Sequence, residues 1–377
     1  MRDDLDALAA WQDETGVIVL ATVVATSGSA PFVPGATLAL HPDGRVRGGV
    51  SGGCVESAGG TAAAETLASG RAQRLPYGVS DGRALAAGLT CGGRLEVLVR
   101  RVRVEDVPLA ELAALVAAEV PTALVTVAAH ADRPDLVGTS VAVTAERTLG
   151  GGPAAAPLAA GLARLGRAVL RGGDPALVHI GASGEELGTA VTVFVQPLLP
   201  RPRLVLVGAG DHAAALTRVG RTLGLHVTVC DPRATFTTTE RLPEADDVTV
   251  GWPHHLLPTL GLTDRDAVCV LTHDPRIDVP ALTAALAGPT GFVGAMGSRR
   301  THADRLERLR AAGVAAADLA RLHSPIGLDL GARTPQEIAV AVAAELVLWR
   351  HGGSGRPLHR TDGPIHAPVS RTTAVAP

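Results

Sequence analysis

Lysine is absent from this 377-residue chain; all 34 basic side chains are arginine, and they face 37 acidic ones for a formal net charge of −3. That balance gives no general pull toward nucleic acid or an anionic membrane surface. Charged residues make up 19% of the chain and hydrophobic ones 46%, which excludes a disordered polymer and supplies enough apolar side chains for sizeable cores. Aromatics are scarce, with a single tyrosine. Together with the missing lysine, this excludes a Tyr-x-x-x-Lys proton-donor pair. No run of about 18 uncharged apolar residues occurs, so no membrane span is expected. The first residues, MRDDLDALAAWQDE, are acidic where a signal peptide would be basic, and the expectation is a cytoplasmic protein. Four cysteines, Cys54, Cys91, Cys230 and Cys269, lie far apart without C-x-x-C spacing, which argues against a zinc knuckle and a disulfide framework. Any thiol chemistry falls to single residues.

The length predicts two or three domains. Residues 1–103 open with a short acidic helix and the strand-like run Val17 to Ala25. TLALHPDGRVRGGV reads as a hairpin around an Asp-Gly turn. A glycine-rich loop, GGVSGGCVE, leads into a helix from Val55 to Ser69, and CGGRLEVLVRRV closes the block as a strand. Residues 104–200 read as a degenerate second copy. ALVTVAA matches VLATVVA in type, ERTLGGG matches GRVRGGV, and TAVTVFVQPL matches RLEVLVRRV. Where the first block has SGGCVE the second has GGPAAA, and where the first has CGG the second has LGT. If this is a duplication, the shared residues describe the fold and the lost ones a task. The alternative is two α/β units that share only strand, hairpin and helix order.

Residues 201–350 begin after the linker LLPRPR. RLVLVGAGDHAAALTRVGRTLGLHVTVCD is a buried strand, a Gly-x-Gly turn, a helix and a second strand ending in acid. That is the order of a dinucleotide fingerprint: Gly208 for the turn, Gly210 for close phosphate approach, Ala213 in the third position, and Asp231 to meet ribose hydroxyls. Asp211 departs from the pattern, because a carboxylate at the helix start competes with phosphate for the same amides. Nucleotide binding and a retained fold with another ligand, or none, both stand. DVTVGW, DAVCVLTHD and GFVGAMG continue the strand–helix alternation. In a parallel sheet their carboxyl-end loops are candidate site positions, with His273 and Asp274 in one, and Ser298 and Arg299 in another. Arg299 and Arg300 at a helix start suit an anion or a solvated face equally. Thr334, Pro335 and Glu337 make a capping box, which leaves Asp329 and its glycines unexplained. Residues 351–377 are rich in Pro, Gly and Ser and read as a disordered tail. The fold class expected is α/β: an N-terminal α/β domain with a degenerate second copy, followed by a Rossmann-like doubly wound parallel sheet.

GGVSGGCVES, GLTCGGRLEVLV, VGAGDH, LTHDPRIDVPAL, GFVGAMGSRRTHADRLERLRAAG and SPIGLDLGARTPQEIAVAVAAEL, in this order, resemble the xanthine dehydrogenase accessory factor family, XdhC/CoxI. The resemblance implies a protein that binds molybdenum cofactor (molybdopterin), protects it while a cysteine desulfurase helps install a sulfido ligand, and helps insert it into an apo-molybdenum hydroxylase. A homodimer is implied on the same ground. The family commonly reads Gly-Ala-Gly-His; here Asp211 takes the His place and His212 follows.

The chemistry suits that task. Ser51, Gly52 and Gly53 offer backbone N–H groups, and the helix start after them favours anions and a thiolate at Cys54, which Glu56 opposes. A thiolate is a soft ligand, so Cys54 is a candidate molybdenum contact. Cys91, with Gly92 and Gly93, is a candidate for the same pocket. Cys230 and Cys269 sit in strands and read as inert core residues. No catalytic residue is assigned. Two other classes stay open: an NAD(P)-dependent oxidoreductase using Cys54 or His273, and a docking scaffold without cofactor.

Overall fold

The computed structural model describes residues 1–28, 30, 32–50, 56–77, 93–362 and 365, with the side chains of 56–59 left aside. Ser51, Gly52, Gly53, Cys54, Cys91 and Gly92 lie outside the described residues, as does most of the 351–377 segment. The chain divides into two compact units, residues 1–200 with 362–377, and residues 201–361.

The first unit holds two five-stranded antiparallel sheets. The first sheet has the order β3-β2-β1-β5-β4, with β1 Val17–Ser27, β2 Thr37–Leu40, β3 Val46–Gly48, β4 Gln73–Tyr77 and β5 Arg94–Arg103. The second has the order β8-β7-β6-β10-β9, with β6 Thr122–His130, β7 Ser140–Val143, β8 Thr148–Gly150, β9 Ala176–Ile180 and β10 Val191–Leu198. Helix α1 (Leu5–Thr15) precedes the first sheet and α2 (Glu56–Ser69) connects β3 to β4. Helix α3 (Leu109–Ala117) precedes the second sheet, and α4 (Ala159–Val169) lies between β8 and β9. The HPDG turn of the hairpin closes through the His41 N–H donating to the Arg45 carbonyl at 2.9 Å.

Alternation along β1 explains how one strand serves two cores. Val19, Ala21 and Val23 pack with Ala62 and Ala63 of α2. Ile18 and Leu20 point the other way and share a cluster with Leu5 and Leu8 of α1, Leu112 of α3, and Leu124 and Leu198 of the second sheet. Val24, Leu98, Ala128 and Phe194 continue that seam between the two sheets.

Corresponding positions in the two sheets carry corresponding bonds. Thr22 and Thr37 pair their hydroxyls at 3.3 Å across β1 and β2; Thr126 and Ser140 do so at 2.9 Å across β6 and β7. Gly35 (φ +95) donates to the Val23 carbonyl, and Gly138 (φ +91) donates to the Val127 carbonyl, each at 2.8 Å. The register puts Arg100 opposite Leu20 and Gln196 opposite Leu124. Gln196 reaches across the seam and donates to the Gly35 carbonyl at 2.9 Å. Arg100 lies against Gly138, where an added Cβ would sit 3.3 Å from the Arg100 Cβ and 2.9 Å from Ala72. The Arg100 guanidinium is buried, its Nη1 has no hydrogen-bond partner among the described residues, and burial lowers its pKa from the ordinary arginine value to about 10.

The second unit is a six-stranded parallel sheet of order β13-β12-β11-β14-β15-β16: β11 Arg203–Val207, β12 His226–Asp231, β13 Asp247–Val250, β14 Ala267–Val270, β15 Phe292–Ala295 and β16 Leu322–His323. This 3-2-1-4-5-6 order is the doubly wound arrangement expected from the sequence. The central strands are apolar on both faces because helices cover both. Leu204 and Leu206 pack in the core with α5 (Asp211–Thr222). Val205 and Val207 pack with α6 (Pro275–Ala287) and α7 (Arg299–Ala311). Helix α8 (Pro335–His351) returns to the α5 face and opens on the Thr334/Glu337 capping box. It ends at Gly352 (φ +69), beyond which Leu358–Arg360 forms one 3-10 turn. Among the described residues no helix is long and apolar enough to cross a membrane.

Candidate functional site

The carboxyl ends of β11, β12 and β14 converge where the strand order reverses, the place where such sheets receive ligands. After β11 the chain turns at Gly208 (φ +108), where a Cβ would collide with the Thr272 methyl at the exit of β14. Only glycine allows that approach and that φ. Gly210 takes extended backbone and is the N-cap of α5, with nothing within 4 Å of an added Cβ, so this face of the turn is open. Ala213, in the third position of the fingerprint, is fully buried in the core. Asp211 opens α5 with its side chain 85% exposed, 3.9 Å from Arg241. His212 is half-buried beside it.

Asp231 behaves differently from the sequence expectation. Its carboxylate is wholly buried and accepts four hydrogen bonds. Oδ2 takes the Ala209 N–H at 3.0 Å and Arg233 Nη2 at 2.6 Å; Oδ1 takes the Arg233 N–H and Nε, both at 2.9 Å. Burial raises its pKa, but the Arg233 side chain and the backbone donors outweigh that and leave it below the ordinary value. Both oxygens are thus fully subscribed without any ribose hydroxyl. The acid instead ties the β11 turn to the end of β12.

The other candidates on these loops hold helix starts. Asp274 is the N-cap of α6 and accepts from the Arg276 N–H at 2.9 Å and from its guanidinium, whose hydrogen bonds lower its pKa to about 2. Ser298 is the N-cap of α7, accepting from the Thr301 N–H at 3.1 Å. His273 is exposed on the loop after β14, and Arg299 is exposed as the first residue of α7. Asp329 is exposed on the loop before α8 and is not brought to the β11 turn by any contact among the described residues. Gly93 immediately precedes β5 in the first unit, and Glu56 is the first residue of α2.

Cys230 and Cys269 lie inside β12 and β14, fully buried. Burial, with a smaller push from Asp231, raises the Cys230 thiol to about 12, and burial raises Cys269 likewise. Both are protonated, unreactive thiols. In the first unit, Glu14, His41 and Asp43 bring possible metal-ligand atoms within 4.8 Å of one another. Arg45 already supplies a cation there, donating to Glu14 at 2.9 Å and to Asp43 at 2.8 Å.

Two features escaped sequence reasoning. One is Arg233 itself, for which the only local signal was its place two residues after the acid. The other is the Arg305 and Asp278 pair beneath the site, 4% and 6% exposed at the side chain and 3.3 Å apart. Thr272 donates to Asp278, while Arg305 donates to the Met296 carbonyl at 2.8 Å and the Ser324 hydroxyl at 2.9 Å. This network joins the ends of β14 and β15 and the loop after β16.

Comparison with known proteins gives an independent view. A model described as the XdhC Rossmann domain matches residues 204–346, and one described as the XdhC and CoxI family matches residues 11–78. The chain is 28% identical over 358 residues to a Bacillus subtilis protein named as a probable xanthine dehydrogenase subunit, covering 92% of this chain and 96% of that one. It is 26% identical over 335 residues to "Molybdenum cofactor insertion chaperone PaoD" of Escherichia coli, covering 88% and 83%. A crystal structure from Bacillus halodurans, titled a xanthine dehydrogenase, shares the fold with a TM-score of 0.69 at 22% identity over 95% of this chain and 98% of that one. Two models of one family, in order along the two units, and relatives matched along nearly the whole length lead to one conclusion: the chain belongs to the XdhC and CoxI family.

Proposed function

We propose that this chain is an accessory protein for a molybdenum enzyme of the xanthine dehydrogenase type, holding molybdenum cofactor and helping to insert it into the apo-enzyme. The observation that carries this reading is the match along 88% of the chain to a relative named as a molybdenum cofactor insertion chaperone. The geometry supports holding over turnover. Asp231, Asp274 and Ser298 are committed to shaping loops rather than free to move protons. The one tyrosine, Tyr77, is buried in the core of the first sheet.

The described residues fit the phosphate-bearing part of such a cofactor at one place. The start of α5 leaves open space over Gly210, and the first-turn N–H groups of a helix favour an anion. Asp211 sets a limit there, since its carboxylate and a phosphate repel. When bound, the molybdenum centre supplies the redox chemistry of the enzyme that receives it. This chain binds it and orients it. In this reading the first unit is two copies of one fold, of which only the first keeps the SGGCVE loop, and Cys54 is a soft ligand to the metal. Receipt of sulfur from a cysteine desulfurase, assembly as a homodimer and a cytoplasmic location complete the proposal.

The test is anaerobic purification from cells making the cofactor, followed by molybdenum and pterin analysis. Both are expected near one per chain, and their absence from folded protein refutes the reading. Cys54→Ala is expected to keep the fold and lose the metal; unchanged retention removes Cys54 from the ligand set.

A further inference from the structure

The loop after β12 carries a surface that neither the fingerprint nor the cofactor reading uses. Phe236 is 41% exposed, and two guanidinium groups flank its ring, Arg233 at 5.1 Å and Arg241 at 5.6 Å from the centroid. Arg233 spends its N–H, Nε and Nη2 on Asp231, while its Nη1 has no partner among the described residues and its side chain is 49% exposed. Arg241 is 47% exposed, and its nearest acid, Asp211, stands 3.9 Å away, outside hydrogen-bonding range. The Asp231 carbonyl accepts from both Gly251 N–H and the Thr237 hydroxyl, at 3.2 Å each, which gathers the β13 exit beside this loop. That exit presents Val250 and Trp252, 53% and 44% exposed. An exposed aromatic ring with two arginines over it, at the carboxyl edge of a doubly wound sheet whose next strand exits through exposed apolar residues, is the chemistry of a base and a phosphate side by side.

We propose that this loop is a nucleotide subsite selective for a ribose that carries its own 2′-phosphate, with the base against Phe236 and the phosphate held by Arg233 and Arg241. The selectivity follows from Asp231. A free ribose diol donates hydrogen bonds and needs an open carboxylate, whereas here four donors fill both oxygens and Arg233 neutralises the charge. What faces outward is the remaining edge of the Arg233 guanidinium and the Arg241 side chain. Acids on these loops oppose a phosphate: Asp274, which is held by Arg276, Asp211, whose exposed contact with Arg241 costs little to break, and Glu240, exposed beside Arg241 and hydrogen-bonded with Thr238. The subsite is independent of cofactor delivery: protein devoid of pterin that still shows the preference below refutes delivery alone.

The test is calorimetric titration of the full-length protein with 2′,5′-ADP and with 5′-AMP. The 2′-phosphate is expected to improve affinity by about tenfold or more. Arg241→Gln, which leaves the Asp231 and Arg233 pair intact, is expected to remove most of that advantage without altering 5′-AMP binding. Phe236→Leu is expected to weaken both ligands together. Equal affinity for the two nucleotides, binding of neither, or an Arg241→Gln protein with the preference unchanged overturns the proposal.

Discussion

Replacing Arg100 with glutamine is expected to stabilise the first unit, although it removes a charged side chain from the middle of a strand. At the corresponding position of the second sheet stands Gln196, which donates to Gly35 O at 2.9 Å. Arg100 faces the equivalent Gly138; among the described residues its Nη1 has no partner and the favourable charge acting on it is that of Asp106. The drop from the ordinary arginine value to about 10 corresponds to ~3 kcal/mol of cost for keeping the guanidinium charged in the fold. The folded pKa is depressed, so by linkage the penalty is present in full below about 10 and fades only as the pH rises from there toward the ordinary arginine value. At neutral pH the substitution recovers it. Glutamine loses about one methylene of packing, ~0.8 kcal/mol, and gains a neutral hydrogen bond to Gly138 O worth ~1 kcal/mol. The expected net gain is about 2–3 kcal/mol. Amide hydrogen exchange of β1 and β5 in the full-length protein reads it, because the slowest amides there report opening of the unit. If those amides instead exchange faster in Arg100→Gln, the charge has a compensating partner in the fold and the reasoning fails.

Four further expectations concern the second unit. Gly208→Ala places a Cβ on the Thr272 methyl and strains φ, for a loss of about 1–3 kcal/mol or more in urea unfolding. Adding Thr272→Ser, which deletes that methyl and keeps the hydroxyl on Asp278, is expected to restore part of it; no recovery removes the methyl as the cause. Arg305→Met leaves Asp278 buried without its cation and is expected to cost about 3–5 kcal/mol, with a value under 1 kcal/mol refuting the network as a brace. Asp274 has a folded pKa lowered to about 2, so its contribution is present above the ordinary 3.8 and is lost as the pH falls from about 4 toward 2. Asp274→Asn, which keeps the cap, is expected to flatten that part of the acid unfolding curve. Finally, Cys230 and Cys269 are expected to stay unlabelled by iodoacetamide at pH 8 in folded protein, read by peptide mass mapping.

The parts of the fold legible in the sequence are those with local signals. HPDG between two apolar runs gives β2 and β3, and Thr334 with Glu337 gives the start of α8. The Gly208 turn between two buried strands gives the parallel sheet, because glycine spacing and apolar runs are written in consecutive residues. What was not legible depends on side chains that meet over distance. Asp231 looks like an open acid in sequence, and only the backward reach of Arg233 and the Ala209 N–H reveals it as closed. Arg305 finds Asp278 across 27 residues, and Arg100 enters the seam because its strand alternation points it there. Neither meeting is written in consecutive residues.

The seam in the first unit has a further consequence. Because both of its sides belong to one chain, their association is intramolecular and does not depend on protein concentration. In a symmetric pair of identical chains, any change on one side is imposed on the other. Here the two sides are free to differ, as Arg100 and Gln196 already do. In the proposed reading, one side keeps the SGGCVE loop where the other has GGPAAA. In that reading a change on the SGGCVE side leaves the other side of the seam as it was.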